Sequence, residues 1–596
     1  MKLNIFAISI ILLCFSTLCM AQNNDSIIKK SVTVERDFVP EIQPAGKIES
    51  PPAVVEPQRT VLDAVYSDFT SPLSLGGNVH PLSAATLLYA HRVSDRPGFA
   101  RLAVGFYPNS IADFAYPLID RSDMRLDAVI KQRGTYNSKY SMITTAQLNF
   151  DKYFENLTLF SGFNAGYQGV KYYGMNFNEA AEELYFSRLI KNDENVTYYA
   201  LDFPNNIVKI KDLDDLPQFA HFFRVGANLG VRSAENAENW RYLARLKYGL
   251  FRNTAGVTEH FFNTSGQLSF IFNENRIGID VELYNAFYNS KQKIDFFENK
   301  NNNKYAVLVA SPYFEFNQLE NFNVRLGVLA AIPFAGGGGL KFAPDIRLEW
   351  KPMPKTLKIY AGLTGKYKVN SMSDIFYENP YLAPQVRVED TYTPMEIYAG
   401  LLIKPTAGLL FDIFADYSII NNDYFFVNQS YSYLQGNVYP QQPLPTTPDY
   451  TIFSNRFNVV YSRSNLLTIG GRVSYTYKDI FNFEFSGKHF SGPLKKEDFP
   501  WQRPEFDFNL NTSYRIIKDV NLSLTGYYQG NIMAKLGSYA AEMKNRIDLN
   551  LSVSYTYSQW LTLFLTGNNL LNSKYDIYFG YQVQGINAMI GAVVSF

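Results

Sequence analysis

Over residues 547–557 the odd positions hold Ile547, Leu549, Leu551, Val553, Tyr555 and Tyr557, and the even ones Asp548, Asn550, Ser552, Ser554 and Thr556. Residues 506–516 repeat the pattern, with Asp507, Asn509, Asn511, Ser513 and Arg515 set against Phe506, Phe508, Leu510, Tyr514 and Ile516. A helix would mix the two sets; a strand, with its two-residue period, separates them. Each run has the length of roughly 9–11 residues that a tilted strand needs to cross hydrocarbon. The last run, 586–596, places Ile586, Ala588, Ile590, Ala592, Val594 and the terminal Phe596 on one side.

The N-terminus supplies an address. Residues 1–21 read as a cleaved secretory leader, with Lys2 at the positive end, an apolar core over 5–13, and small residues at Cys19 and Ala21 before a cut at Gln22. A lipoprotein cut at Cys19 is disfavoured by Leu18, where a small residue is wanted. Both cysteines, Cys14 and Cys19, fall in the leader, so the mature chain would have no disulfide and no thiolate metal site. No later run is long and apolar enough for a membrane helix. An exported chain full of amphipathic strands then belongs in the outer membrane, where only closed barrels satisfy strand backbones. Aromatics make up 16% of the residues (43 Tyr, 47 Phe), which suits strands and interfacial girdles. Losing Lys2 with the leader leaves 54 basic residues against 55 acidic, a balance that excludes a global nucleic-acid footprint.

The fold expected is all-β, a single large antiparallel transmembrane barrel over 73–596, preceded by an extended segment, 22–72, broken by Pro40, Pro44, Pro51, Pro52 and Pro57. Strand-like runs number about 23, including 101–107, 111–118, 409–417, 457–461 and 467–477. An odd number does not suit a single-chain bacterial barrel, and it puts the Pro-rich loop 428–450 on the wrong side. One strand is therefore split or missed, between 428–450 and 491–504 or near 101–118, and about 22 is expected. By parity Arg472, Glu484, Lys488, Asp507 and Arg515 point into the lumen, a wet wall of both signs. Ile590, Ala592, Val594 and Phe596 form the signal expected to be read by the barrel-insertion machinery, with lipid outside.

At Gly567-Asn568-Asn569-Leu570-Leu571-Asn572-Ser573-Lys574-Tyr575, ahead of the closing strand, the chain resembles TonB-dependent receptors, which carry a similar Asn-Leu-(aromatic/Leu)-Asn-x-x-Tyr turn. The resemblance implies a receptor or channel that binds or passes a small molecule. Those receptors place a plug of well over a hundred residues before the barrel; 22–72 is less than half that. With the stretches 31–40, 46–48 and 101–117, the chain looks like a plugless subgroup. In the full receptors a segment resembling Val32-Thr33-Val34 recruits the energising protein; without a plug to pull, that role is left open here. Val32, Thr33, Val34 and Glu35 also read as a strand that could dock on a periplasmic or surface partner's sheet edge, or as plain tether. The alternative function is a non-transporting barrel subunit of a larger outer-membrane assembly.

A barrel of about 22 strands is too wide for its own side chains to fill. The expected occluders are 22–70 folded inward, the loops 175–217 or 428–450, or another protein. Tyr424, Phe425, Phe426, Tyr431 and Tyr433 read either as exposed loop aromatics that stack on a flat ligand or as the rim of one long strand pair. No catalytic, cofactor or metal residues emerge. His80, His91, His221, His260 and His489 lack ligand spacing, and Ser486 and His489, the pair a barrel hydrolase would use, lie on opposite strand faces. Gly336–Gly339 lacks a phosphate loop's Gly-Lys-Ser/Thr. Asp212, Asp214 and Asp215, beyond a surface helix expected over 178–190, read as a solvated turn rather than a Ca²⁺ site.

Overall fold

The computed structural model describes residues 96–596, apart from 175–197, 203–205, 211–217, 235–238, 255, 290–303, 320, 336–338, 384–385, 434–449 and 537–538. The chain divides after Thr70, and everything described belongs to the second unit. The expected leader, the 22–72 segment with Val32–Glu35, His80, His91, the 178–190 helix and the acidic cluster lie outside the described residues.

Twenty-two strands pair antiparallel in sequence order, and the first, Phe99–Gly105, closes on the last, Asn587–Ser595. Gly98 and Phe596 exchange backbone hydrogen bonds of 3.0 Å each way across this seam. Closure leaves no edge strand, the condition that a sheet must meet in lipid. One end carries tight turns. At Asn273-Glu274 both residues have positive φ (43° and 68°), the twist that matches a two-residue hairpin. Trp240, Trp350 and Trp560 stand at this end as an exposed aromatic girdle. The other end carries the long connections.

The even number follows from one correction. The runs 457–461 and 467–477 are halves of a single strand, Tyr450–Tyr477. Its partner, expected to stop at 417, continues as Leu409–Tyr433. The register shifts between Ile420 and Asp423, where the two-residue pattern breaks. Merging the halves puts Tyr433 and Tyr450, the ends of this strand pair, at the long-loop end. The pair rises as a tall hairpin above its neighbours.

The barrel's outer face carries exposed apolar side chains, as at Leu102, Leu229, Leu246 and Ile413. Its inner face changes character along the axis. Near the turn end it carries charge. Near the loop end the same parity brings in Val170, Phe222, Phe251, Ala286, Tyr288, Tyr305, Val307 and Ala331, all buried in one apolar cluster.

Candidate functional site

That cluster is completed by the connection 369–390, which turns inward across the mouth and is called the leaf below. Its helix α1, Met372–Glu378, is seven residues long, too short to persist on propensity alone. Ser371 caps it, accepting from Asp374 N at 3.0 Å. Met372, Ile375 and Phe376, at i, i+3 and i+4, form the buried face. The Phe376 ring lies 5.3 Å from Phe222 and 5.5 Å from Phe251 on the far wall.

Two charged wall residues grip the same turn. Glu259 accepts from Met372 N at 2.6 Å and Ser373 N at 3.3 Å. The Arg224 guanidinium reaches Ser373 Oγ at 3.3 Å and Gln168 Oε1 at 2.9 Å, and stacks 5.3 Å from Phe251 and 5.5 Å from Tyr377. Beyond α1 the leaf pairs with the tall hairpin: Ala383 N donates to Phe457 O (2.8 Å), and Phe457 N to Tyr381 O (3.1 Å). Tyr172 Oη donates to Leu382 O at 2.9 Å. On the return limb Tyr461 Oη donates to Arg387 O (3.0 Å) and accepts from Glu389 N (2.9 Å).

The connection 569–586 forms a second piece, a strap, and explains the receptor-like motif physically. Asn569 and Asn572 both sit at φ 48°, the left-handed region that Asn tolerates. Asn569 Nδ2 donates to Ser573 O and Gln584 O, and its Oδ1 accepts from Ser573 N, each at 2.9 Å. Tyr575 Oη reaches Asp548 Oδ2 on the wall at 2.8 Å. The buried Arg546 donates to Asp576 O (2.9 Å), Ile577 O (2.6 Å) and Gln529 Oε1 (3.0 Å). So pinned, the strap delivers Tyr578 and Tyr581 to the leaf. Tyr581 stacks on Tyr381 with centroids 3.7 Å apart, and Tyr578 Oη donates to Glu378 O at 2.7 Å.

The tall hairpin packs against the strap's tyrosines, Phe426 on Tyr578 and Phe457 on Tyr581. Tyr424 and Phe426 join the mouth cluster, while Phe425 and Val427 on the opposite face are covered by Trp501. These three aromatics are buried, which overturns their reading as exposed stacking groups. The rim-strand alternative is the one observed, because an extended pair shows side chains on two faces and each face is covered by a different loop. Arg503 fastens the outer cover through Tyr424 O at 2.6 Å and Asp423 at 3.0 Å. Tyr424 Oη donates to Glu378, whose carboxyl burial pushes above its ordinary range.

Below the cluster the wall is ion-paired. Arg325 meets Asp345 (2.7 Å), Glu315 (3.0 Å) and Asp280 (3.7 Å), and Arg101 and Arg133 share Asp113. Of the residues expected to face inward, Arg472 lies 3.6 Å from Asp412, itself bonded by Tyr360 Oη at 2.8 Å. Asp507 accepts from Asn509 (2.6 Å) and Gln529 (3.1 Å) and is the register partner of Lys488. Glu484 stands opposite Ser474 and Asn511, and Arg515 opposite Asn521. At the seam Ile590 is exposed, Ala592 and Val594 pair with Leu102 and Ala100, and Phe596 stacks on Tyr116 and Phe114 at 5.7 and 6.0 Å.

Ser486 stands opposite Asn509, whereas His489 stacks on Phe506 at 4.7 Å and faces Glu505, so no Ser–His pair forms. His221 and His260 are hydrogen-bonded to Tyr167 and Tyr248 at 2.7 and 2.9 Å. Among the described residues no three metal-ligating side chains converge.

No family model matches the chain, and no curated protein does. Solved structures do. The siderophore receptor PirA from Acinetobacter baumannii superposes with a TM-score of 0.58 at 11% identity, over 84% of this chain and 80% of that one. A mutant of the ferric enterobactin receptor PfeA from Pseudomonas aeruginosa, in complex with enterobactin, gives 0.57 at 12%, over 84% and 81%. The copper transporter OprC gives 0.56 at 10%, over 84% and 82%. These proteins are receptors and a transporter, not enzymes. The likeness is one of fold, a large closed antiparallel barrel, of 22 strands in this chain, which is the fold that the closing motif's resemblance implied.

Proposed function

We propose that this protein is an outer-membrane receptor-type barrel that binds a small polar molecule at its outer mouth and passes it inward. The supporting observation is the two-part lumen, an aromatic mouth above a wall of ion pairs. Arg347, half exposed beside Asp345, is the most solvent-accessible cation of those pairs. Side chains of both signs keep such a wall hydrated without excluding either charge, so the passenger is read as polar rather than of one sign. The nearby structures, receptors and a transporter by their own names, agree with this reading.

Core-like packing of the mouth favours a second reading, a sealed subunit of an envelope assembly. One experiment separates them. Leu382 and Phe457 are fully buried bridge partners, close enough for a disulfide between Leu382→Cys and Phe457→Cys that would lock the leaf. In a deletion strain of the native host, the locked chain should behave like the deletion on one medium limited for a single small nutrient, and recover on reduction. If it complements fully on every medium and co-purifies with fixed partners, transport fails and the assembly reading stands.

A further inference from the structure

We propose that the leaf 369–390 and the strap 569–586 are together the permeability barrier of this barrel, a two-part gate that parts along the Tyr381–Tyr581 seam, with the leaf as the moving half. The leaf's contacts follow one long arc of the wall, and the buried cluster carries that arc on to Tyr288, Tyr305, Val307 and Ala331. The leaf touches the strands or strand ends of Leu157–Lys171, Phe219–Ser233, Trp240–Asn253, Thr258–Phe272 and, beyond its own root, Leu409–Tyr433 and Tyr450–Tyr477. The strap takes a second arc. Arg546 and Gln529 hold it on one side; Asn109 bonds Gln584 at 3.0 Å, and Lys139 Nζ bonds Val583 O at 2.7 Å, on the other. Loop 492–505, through Trp501 and Arg503, backs the tall hairpin between them. The two pieces meet in mid-lumen at Tyr381, Tyr578, Tyr581 and the Glu378 carbonyl.

The halves are fastened differently, and this assigns the motion. The strap is anchored to the wall by the buried Arg546 through two of its carbonyls, and its own turn is braced internally by Asn569 and two left-handed asparagines. The leaf's far edge is held by a carboxylate and a guanidinium, Glu259 and Arg224. Dry ion contacts recover much of their lost hydration when they open, so such a clasp releases more cheaply than an apolar seal of equal size. Opening uncovers Glu259, Arg224 and a row of tyrosine hydroxyls, a polar lining that continues the ion-paired wall beneath. The inference rests on the transport reading only for what passes; the seal stands or falls by itself.

The test removes the leaf from the full chain. Lys368 and Thr391 are register partners, so an Asn-Gly turn can join them in place of 369–390. In planar bilayers the wild-type chain should stay closed, and the leafless chain should show steady conductance at least ~10-fold higher, the lumen of 22 strands being a wide pore. Heat-modifiable gel mobility confirms that it has folded. Should the leafless chain not fold, Glu259→Ala in the Leu382→Cys/Phe457→Cys background takes its place. Brief openings that Glu259→Gln largely restores to closure, and that oxidation of the pair abolishes, support the gate. A folded leafless chain as closed as wild type would overturn it, as would a wild-type chain that conducts steadily or Glu259→Ala openings indifferent to oxidation. Leafless conductance beside a locked chain that complements on every medium would keep the gate and discard transport.

Discussion

Phe376→Ala should loosen the leaf without touching the barrel. The ring is fully buried between Phe222 and Phe251, which sit on wall strands that are paired on both sides. Removing a buried phenyl group costs about 3–5 kcal/mol, the transfer term plus the cavity it leaves. At about 1.4 kcal/mol per decade, the leaf's opening equilibrium should rise by roughly two to three and a half orders of magnitude. The reporter is Leu382→Cys, fully buried at the leaf's far end, in a mature chain predicted to have no other cysteine. Where reclosing outpaces labelling, the rate of thiol modification tracks the open fraction. Labelling in the double variant should therefore exceed that of Leu382→Cys alone by about 100-fold or more, with the thermal transition of the barrel band unchanged. Equal labelling rates would refute the reasoning, because they would mean that the phenyl group contributes nothing to seating the leaf.

Three further outcomes are expected. Burial pushes the Asp390 carboxyl, which accepts from Tyr367 Oη at 2.6 Å at the leaf's root, up to about 8. The seated leaf thus holds a proton that the unseated one releases near pH 4, and leaf stability falls as pH climbs between those values. Leu382→Cys labelling, normalised to a free thiol in the same buffer, should rise from pH 5 to pH 9, and Asp390→Asn should lessen the rise, the remainder coming from Glu378, which burial raises likewise. Asn569→Ala loses three side-chain hydrogen bonds and a tolerated left-handed residue, about 2–4 kcal/mol of local stability. Trypsin should then cut faster at exposed Lys574, with Asn569→Gly intermediate; an unchanged rate would deny the strap its anchor. Deleting 31–38 should leave the heat-modifiable barrel band intact while lowering recovery of any co-extracted partner, and equal recovery would remove Val32, Thr33, Val34 and Glu35 as a docking strand.

The barrel was legible because lipid outside and water inside impose strict alternation, and a two-residue period survives in any membrane strand. The strand miscount came from one of the places where alternation fails, the register shift near Ile420–Asp423, beyond which both faces of the tall hairpin become buried. The seal was less visible. None of the expected occluders is the leaf, whose apolar residues, Met372, Ile375, Phe376, Leu382, Val386 and Val388, follow no strand period and match wall positions on distant strands, as far back as Val170. A trace of it was nonetheless present in the strands. Inward parity brings Arg, Asp and Glu toward the turn end, but Phe222, Phe251, Tyr288 and Tyr305 at the loop end, and aromatics pointing into a lumen call for something apolar to cover them. Part of the aromatic excess assigned to girdles thus lines the mouth instead. The strap's motif was visible in outline, while its physical task, delivering Tyr578 and Tyr581 to the seam, depends on Arg546 and Asp548, whose side chains only the fold brings to it.

The most direct measurement is sided accessibility of the leaf. Tyr377 on α1 is 56% exposed and packs on Arg224, two residues below the Phe222 layer, so its side chain faces the ion-paired lumen and not the exterior. A membrane-impermeant thiol reagent should leave Tyr377→Cys unmodified in intact cells and modify it once the outer membrane is breached and the periplasmic side is reached. Equal modification from outside would show that the mouth is open, and the account would be wrong.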